Sequence, residues 1–302
     1  MNTRIGIDLG GTKIEIIALN NNDEPIYQKR IATPQGNYPA TLIAIKDLIC
    51  NLENNIQQEC SIGIGTPGAI SQNSGRLKNS NSTCLNNQNI QQDLETLLER
   101  PIRISNDANC FTLSETYDGA AANYNNVFGV IVGTGTGAGI VIDQQILNGA
   151  NQIAGEWGHN PLPWPVNSEL SKTRCYCGKS GCIETFLSGP GMQADYFRAT
   201  KQKLSSKEIV IAANQGDQEC ENCLQRYEER MARALAHVIN ILDPEIIVLG
   251  GGMSSIDRLY VNVPQRWSDY VFSDQVLTKF VPAQFGDASG VRGAARLWPL
   301  IN

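Results

Sequence analysis

Cys175, Cys177 and Cys182 place three thiols within eight residues, and Gly178 and Gly181 between them let the chain turn tightly. Thiolates crowded this way suit a tetrahedral zinc ion, which asks for a fourth ligand. The chain has only two histidines. His237 lies in the apolar helical run Ala234–Ile239 and reads as a packing residue. His159 lies in the loop Gly155-Glu156-Trp157-Gly158-His159-Asn160, sixteen residues before Cys175. A Cys3His site of His159, Cys175, Cys177 and Cys182 follows, closed to water and therefore structural. Three reduced loop cysteines are the alternative. The spacing Cys220-x-x-Cys223 falls in an acidic, helical stretch and reads as packing.

A second constellation is Ser105-Asn106-Asp107-Ala108-Asn109, at the end of an apolar strand. Its Asp107 suits the base that takes a proton from an alcohol during phosphoryl transfer. It equally suits the start of a helix, where Asn and Asp are favoured. Three glycine turns complete the set: Gly10-Gly11-Thr12-Lys13 after Asp8, Gly133-Thr134-Gly135-Thr136-Gly137, and Gly250-Gly251-Gly252. Each can bring backbone N–H groups close to a polyphosphate or simply close a hairpin. The second turn leads into apolar Ile140-Val141-Ile142, a strand, whereas a dinucleotide fingerprint needs a helix there. Gly178-Lys179-Ser180 lacks the glycine at position 173 that a P-loop requires.

The elements that would position these residues follow from pattern. Residues 4–9, 14–19 and 25–33 read as strands, the first two forming a hairpin across the first glycine turn. Ile45, Leu48, Ile49, Leu52 and Ile56 mark one face of a helix over 39–58. A strand over 61–65 ends at Thr66-Pro67-Gly68, a helix covers 90–100, and a strand covers 102–105. The hairpin pattern returns at 127–132 and 138–142, which suggests a duplicated domain. Irregular chain fills much of 148–190, and a helix over 224–242 leads into a buried strand at 246–249. With 302 residues, 41% apolar and 18% charged, two modest globular domains are expected. A formal charge of −6 and the absence of a signal-like or membrane-length apolar run argue against nucleic-acid or membrane partners and for a cytoplasmic location.

These motifs together resemble the actin, hexokinase and sugar-kinase superfamily, and Cys175 to Glu184, Glu156 to His159 and Asn106 to Asn109 resemble the ROK family (repressors, open reading frames and kinases) within it. The resemblance runs along essentially the whole chain. It implies an α/β, two-domain actin-like ATPase (ribonuclease H-like) fold, with a duplicated hairpin and glycine-turn core and an interdomain cleft. It implies a smaller domain over 1–118, on which a helix near 290–302 packs back, and a larger domain over 119–289 carrying the zinc loop. ATP and Mg²⁺ would meet Asp8, Gly10, Gly11, Thr12, Lys13, Gly133, Thr134, Gly135, Gly137, Gly250 and Gly251. A sugar would meet Gly68, Asn81, Asn106, Asp107, Glu156, His159 and Glu184, with Asp107 as the catalytic base. Lys78 to Thr83 and Glu156 to Trp164 look most like the fructokinase or manno(fructo)kinase branch, so the expected reaction is ATP-dependent phosphorylation of D-fructose or D-mannose at the 6-hydroxyl. Glucose or N-acetylglucosamine is the alternative acceptor, and a non-catalytic sugar sensor the alternative of another class. The repressors of the family carry a DNA-binding region ahead of the first nucleotide motif, and only seven residues precede Asp8. A homodimer is expected on the resemblance alone.

Overall fold

The computed structural model describes residues 3–80, 82–170 and 173–299. In chain order the first elements are β1 (Arg4–Leu9), β2 (Lys13–Leu19), β3 (Pro25–Ala32), α1 (Tyr38–Ile56), β4 (Ser61–Thr66), β5 (Ala69–Ile70), β6 (Leu77–Lys78), α2 (Ile90–Leu98), β7 (Ile102–Asn106) and α3 (Asp107–Tyr117). The chain continues with β8 (Asn126–Val132), β9 (Thr136–Ile142), β10 (Gln145–Ile146), α4 (Glu184–Leu187), α5 (Gly189–Thr200), α6 (Ser206–Asn214), α7 (Gln218–Leu242), β11 (Ile246–Gly250), α8 (Leu259–Trp267), β12 (Lys279–Pro282) and α9 (Ser289–Ala295).

Two five-stranded sheets carry the fold, in the orders β3-β2-β1-β4-β7 and β10-β9-β8-β11-β12. In the first, β1 pairs antiparallel with β2 and parallel with β4, which pairs parallel with β7. In the second, β8, β11 and β12 run parallel. Hairpin first, parallel strands after, in both sheets: this is the duplication the repeated glycine turns suggest. Strand β1 sits inside its sheet and is buried almost throughout, its Ile5, Ile7 and Leu9 all in the interior. Strand β3 is an edge, and its exposed Gln28, Lys29 and Arg30 discourage further pairing.

Helix α1 begins where Asn37 accepts a hydrogen bond from Ala40 N–H, and ends on Gln57 in the left-handed region. Its buried Ile45, Leu48, Ile49 and Leu52 join Ile5, Ile7, Ile62 and Ile64 in one core. Helix α9 lies so close to the same sheet that a Cβ on Gly6 would stand 2.0 Å from Val291 O, and one on Gly63 1.9 Å from Ala294 O. Gly293 allows the same approach to α3, where a Cβ would meet Cys110 O at 1.7 Å. These three glycines exist for packing, since no side chain fits.

The chain divides into two compact units, one of residues 1–122, 139–154 and 287–302, the other of 123–138 and 155–286. The sequence reading assigns 119–289 to a single second domain; instead, the division falls inside β9 and 139–154 goes with the first unit. Gly139 packs directly on α3, where a Cβ would lie 2.5 Å from both Ala108 O and Thr112 Oγ1. Lys78 Nζ donates to Asn151 O and Asn109 Nδ2 to Asn148 Oδ1, holding the loop that follows. No helix among the described residues is long and apolar enough to cross a membrane.

Candidate active site

In the first unit, three parallel strands end side by side and bring the predicted residues to one edge. Asp8 of β1 lies opposite Gly65 of β4, and Thr66 of β4 opposite Asn106 of β7. The carboxyl ends of parallel strands are where open α/β sheets receive ligands. Gly68, held at φ +85°, turns the chain back just beyond β4; a Cβ there would meet Lys78 O at 2.3 Å. Its carbonyl accepts a hydrogen bond from Asn106 Nδ2 at 3.0 Å. Asn106 Oδ1 accepts from Ala108 N–H at 2.8 Å, and Asp107 Oδ1 accepts from the same group at 2.9 Å. Asn106 thus caps α3, and Asp107 is its first residue, with the helix N-terminus behind the carboxylate. Asn81 lies outside the described residues.

Asp8 opens the first glycine turn. Gly10 N–H donates to Lys13 O at 2.9 Å and Thr33 Oγ1 donates to Gly10 O at 2.8 Å, which closes the turn; Gly11 and Thr12 form its exposed tip. Lys13 Nζ lies 3.9 Å from Asp287. Burial pushes the Asp8 carboxyl up to about 6; Lys13 and Arg30 oppose this, and Glu15, its antiparallel partner, adds to it. The folded chain therefore holds the Asp8 proton more tightly than the unfolded chain does. The stability this contributes is complete below the ordinary value of 3.8 and is lost as the pH rises through about 6. Asp8→Asn, neutral throughout, is expected to melt about 3–6 °C above the parent at pH 8 in the ligand-free state. That gain is expected to shrink by roughly half at pH 5. Melting curves of both proteins at the two pH values test this; an unchanged or lower melting temperature at pH 8 would refute it.

In the second unit, β8 and β11 also run parallel and end together, so their glycine turns are neighbours. Gly133 N–H donates to Gly135 O, and Gly133 O accepts from Gly189 N–H at the start of α5. Thr134 is the exposed tip of this turn, and Gly137 continues into β9. Gly250 ends β11, and Gly251 follows at φ +79°, where a Cβ would meet Val132 O at 2.5 Å. Glu184 Oε2 accepts from Thr136 N–H at 3.0 Å, tying the start of α4 to the glycine turn.

The same Glu184 borders the cysteine cluster, its Oε1 accepting from Cys175 Sγ at 3.6 Å. His159 Nδ1 lies 3.5 Å from Cys175 Sγ, and Cys177 Sγ 3.6 Å from Cys182 Sγ. Ligand atoms of all four predicted residues lie within 4.8 Å of one another. Thiolates bound to zinc at about 2.3 Å stand about 3.8 Å apart at tetrahedral corners, so the donor set and spacing fit a zinc ion. Burial pushes the Cys175 thiol up to about 12 in the absence of a cation, and a bound dication reverses that preference. Among the described residues, Cys220 and Cys223 join no such cluster; both are buried in α7, Cys223 against Met192 O and Asp195.

Two features near the cluster carry no motif. Tyr176, between two of the thiols, brings its hydroxyl to 2.9 Å from His159 Nε2; an aromatic flanked by two ligand cysteines is the only signal the sequence offered. Farther along, buried Glu169 receives Arg230 and Arg233, and Arg233 also donates to Pro163 O and Trp164 O. Burial alone would raise the Glu169 carboxyl, but its hydrogen bonds from Arg230, the Val166 N–H and Arg233 hold it below the ordinary range. This network pins the loop after His159 to α7, and Trp157 Nε1 donating to Ala234 O pins the loop before it.

Comparison with known proteins accounts for this arrangement. The ROK family sequence pattern matches residues 4–300. The N-acetyl-D-glucosamine kinase of Yersinia enterocolitica is 36% identical, over 97% of this chain and 98% of that protein. The N-acetyl-D-glucosamine kinase of Pectobacterium atrosepticum is also 36% identical, over 98% and 99%. Among solved structures, a ROK hexokinase from Thermus thermophilus superposes with a TM-score of 0.85 at 25% identity, over 97% of this chain and 96% of that one. A ROK family glucokinase from Streptomyces griseus, solved with glucose and AMPPNP, gives 0.77 at 24%, over 98% of each. The fold is the two-domain actin-like ATPase fold, and the chain belongs to the ROK family.

Proposed function

We propose that the chain is an ATP-dependent sugar kinase whose acceptor is N-acetyl-D-glucosamine. The kinase reading is carried by the Asn106–Asp107 pair, set at the strand ends with a carboxylate at the head of a capped helix. The acceptor is supported by curated relatives, named N-acetyl-D-glucosamine kinases, that align over nearly the whole chain. The motifs taken alone favour fructose or mannose; agreement along the full chain weighs more than two short segments, and moves the choice to the second acceptor.

In this reading the 6-hydroxyl oxygen of the sugar attacks the γ-phosphorus of ATP and the bond to the β-phosphate oxygen breaks. ADP leaves, and Asp107 takes the hydroxyl proton. Gly68, Asn106, Glu156, His159 and Glu184 are the proposed sugar ligands, on the family pattern they match. Carboxylates and amides suit a polyol because they orient hydroxyls. Asp8 and Lys13 are assigned to the phosphate and Mg²⁺ end of the nucleotide, and the turns at Gly10–Lys13, Gly133–Gly137 and Gly250–Gly251 to its phosphates and adenosine. Zinc bound by the four clustered ligands would supply no chemistry of its own; it would hold the loop that carries Glu156 and Glu184. A reaction that consumes ATP suits a cytoplasmic protein, and a homodimer remains the proposed assembly.

ADP release from the purified protein, measured with N-acetylglucosamine, glucose, fructose and mannose side by side, tests the acceptor. We expect kcat/KM for N-acetylglucosamine to exceed that for fructose by about 100-fold or more, as expected of a site built to hydrogen-bond a group that fructose lacks. Preference for fructose or mannose would restore the reading of the motifs.

A further inference from the structure

His159 has two ring nitrogens with different surroundings. Nδ1 faces the thiols, 3.5 Å from Cys175 Sγ. Nε2 faces away, 2.9 Å from the Tyr176 hydroxyl and 4.0 Å from Glu156 Oε2. The two rings meet edge-on, their centroids 5.0 Å apart. A histidine that gives the Nδ1 lone pair to a metal must carry its proton on Nε2, so Nε2–H donates and the Tyr176 oxygen accepts. A phenol hydroxyl can serve either tautomer, so what the hydrogen bond fixes is the ring orientation: it holds Nδ1 toward the thiols, as metal binding needs.

Tyr176 is nevertheless 71% exposed, although its hydroxyl is engaged. Little packing holds the ring in place, so swinging it aside costs about one hydrogen bond. Its hydroxyl is also chemically what a sugar would bring: an alcohol oxygen accepting from Nε2–H beside the Glu156 carboxylate.

We propose that Tyr176 is a positioning residue for His159: its hydroxyl holds Nε2–H, and so the metal-binding face of the ring, while the sugar is absent, and yields that nitrogen to a sugar hydroxyl when it arrives. The orienting role stands on the cluster geometry alone, and the hand-over rests on the sugar-kinase reading. Because the phenol and the sugar compete for one donor, removing the phenol hydroxyl loosens the sugar-free site and leaves the sugar-bound site untouched.

The test uses the full chain, zinc-loaded, as parent and Tyr176→Phe. Zinc transfer to a chelating dye is followed with and without saturating N-acetylglucosamine, and KM and kcat are measured alongside. Without sugar, Tyr176→Phe is expected to release zinc about 10-fold faster, the usual weight of a lost outer partner of a metal histidine. With sugar the two rates converge, and KM for the sugar falls by up to about 5-fold in the variant, the worth of one hydrogen bond. Equal release rates without sugar would overturn the orienting role, and a rate difference undiminished by sugar would overturn the hand-over. A parent that turns over no hexose refutes the kinase reading instead, and the sugar-free rates still decide what Tyr176 does.

Discussion

Asp107→Asn is expected to lower kcat by about 10²–10⁴-fold, the range for loss of a general base, while the protein melts within a few degrees of the parent. The substitution separates the two roles that the position allows. Asp107 Oδ1 accepts from Ala108 N–H at the head of α3, and an asparagine amide oxygen accepts that bond equally well. What the amide lacks is the ability to take a proton. The acidic side chain also gains from the helix N-terminus, by about 0.3–1 kcal/mol, and this part of its structural role is lost. Asn106→Ala supplies the contrast. It removes the cap that accepts from Ala108 N–H at 2.8 Å and the donor to Gly68 O, and so costs stability, about 1 kcal/mol for the cap. Thermal melts and steady-state ADP release on both variants make the comparison. An Asp107→Asn protein that keeps more than about a tenth of the parent kcat would reduce Asp107 to a helix-start residue, the other reading its sequence context permits.

The glycines show where sequence is legible and where it stops. Gly10, Gly11, Gly133 and Gly135 stand between apolar strands, so their turns are visible from alternation alone, and the structure places hairpin turns at both. Gly6, Gly63 and Gly293 are just as constrained, but by Val291, Ala294 and Cys110, which are far away in sequence. No local pattern predicts a requirement set by chain that lies roughly 180 to 290 residues away. Helix α3 was hidden for another reason: every residue from Ala108 to Thr116 is buried, so it shows no polar face and no 3.6-residue period. Its start was legible, because Asn106 and Asp107 are capping residues whatever else they do. The division inside β9 was invisible because Gly139 binds the second half of that strand to α3 without any break in composition. At the cysteine cluster the ligand types and their spacing were enough to nominate all four residues. Which nitrogen of His159 faces the thiols, and what holds the other, is a matter of three-dimensional placement that spacing does not encode.

Removal of a ligand from the cysteine–histidine cluster is the other change expected to act strongly, and Cys177 is the residue on which to test it. Cys175 and Cys182 are buried, so replacing either would mix lost packing with lost metal ligation. Cys177 is exposed, and its alanine variant removes little apolar contact. Hydrogen bonding from the Lys179 backbone N–H holds the Cys177 thiol below its ordinary value, so this ligand is the readiest of the three to bind as thiolate. If the cluster holds zinc, Cys177→Ala should lose most of the bound metal and melt about 5 °C or more below the parent, the scale of a ligand-linkage loss of a few kcal/mol. Activity should fall with it, because Glu184 borders the cluster through Cys175 and Glu156 shares its loop with His159. Chelation of the parent should reproduce both losses, and added zinc should restore the chelated parent but not the variant. Cys223→Ala, in a buried site apart from the cluster, should retain the parent's zinc content whatever it does to stability. Metal analysis of the three proteins with their melting curves decides the matter. A parent with less than a tenth of an equivalent of zinc after purification in zinc-supplemented buffer, melting like Cys177→Ala, would leave the cluster as three reduced cysteines beside a histidine. The anchoring of Glu184 and Glu156 would then have to come from Thr136 N–H and from the Trp157 contact to α7 alone.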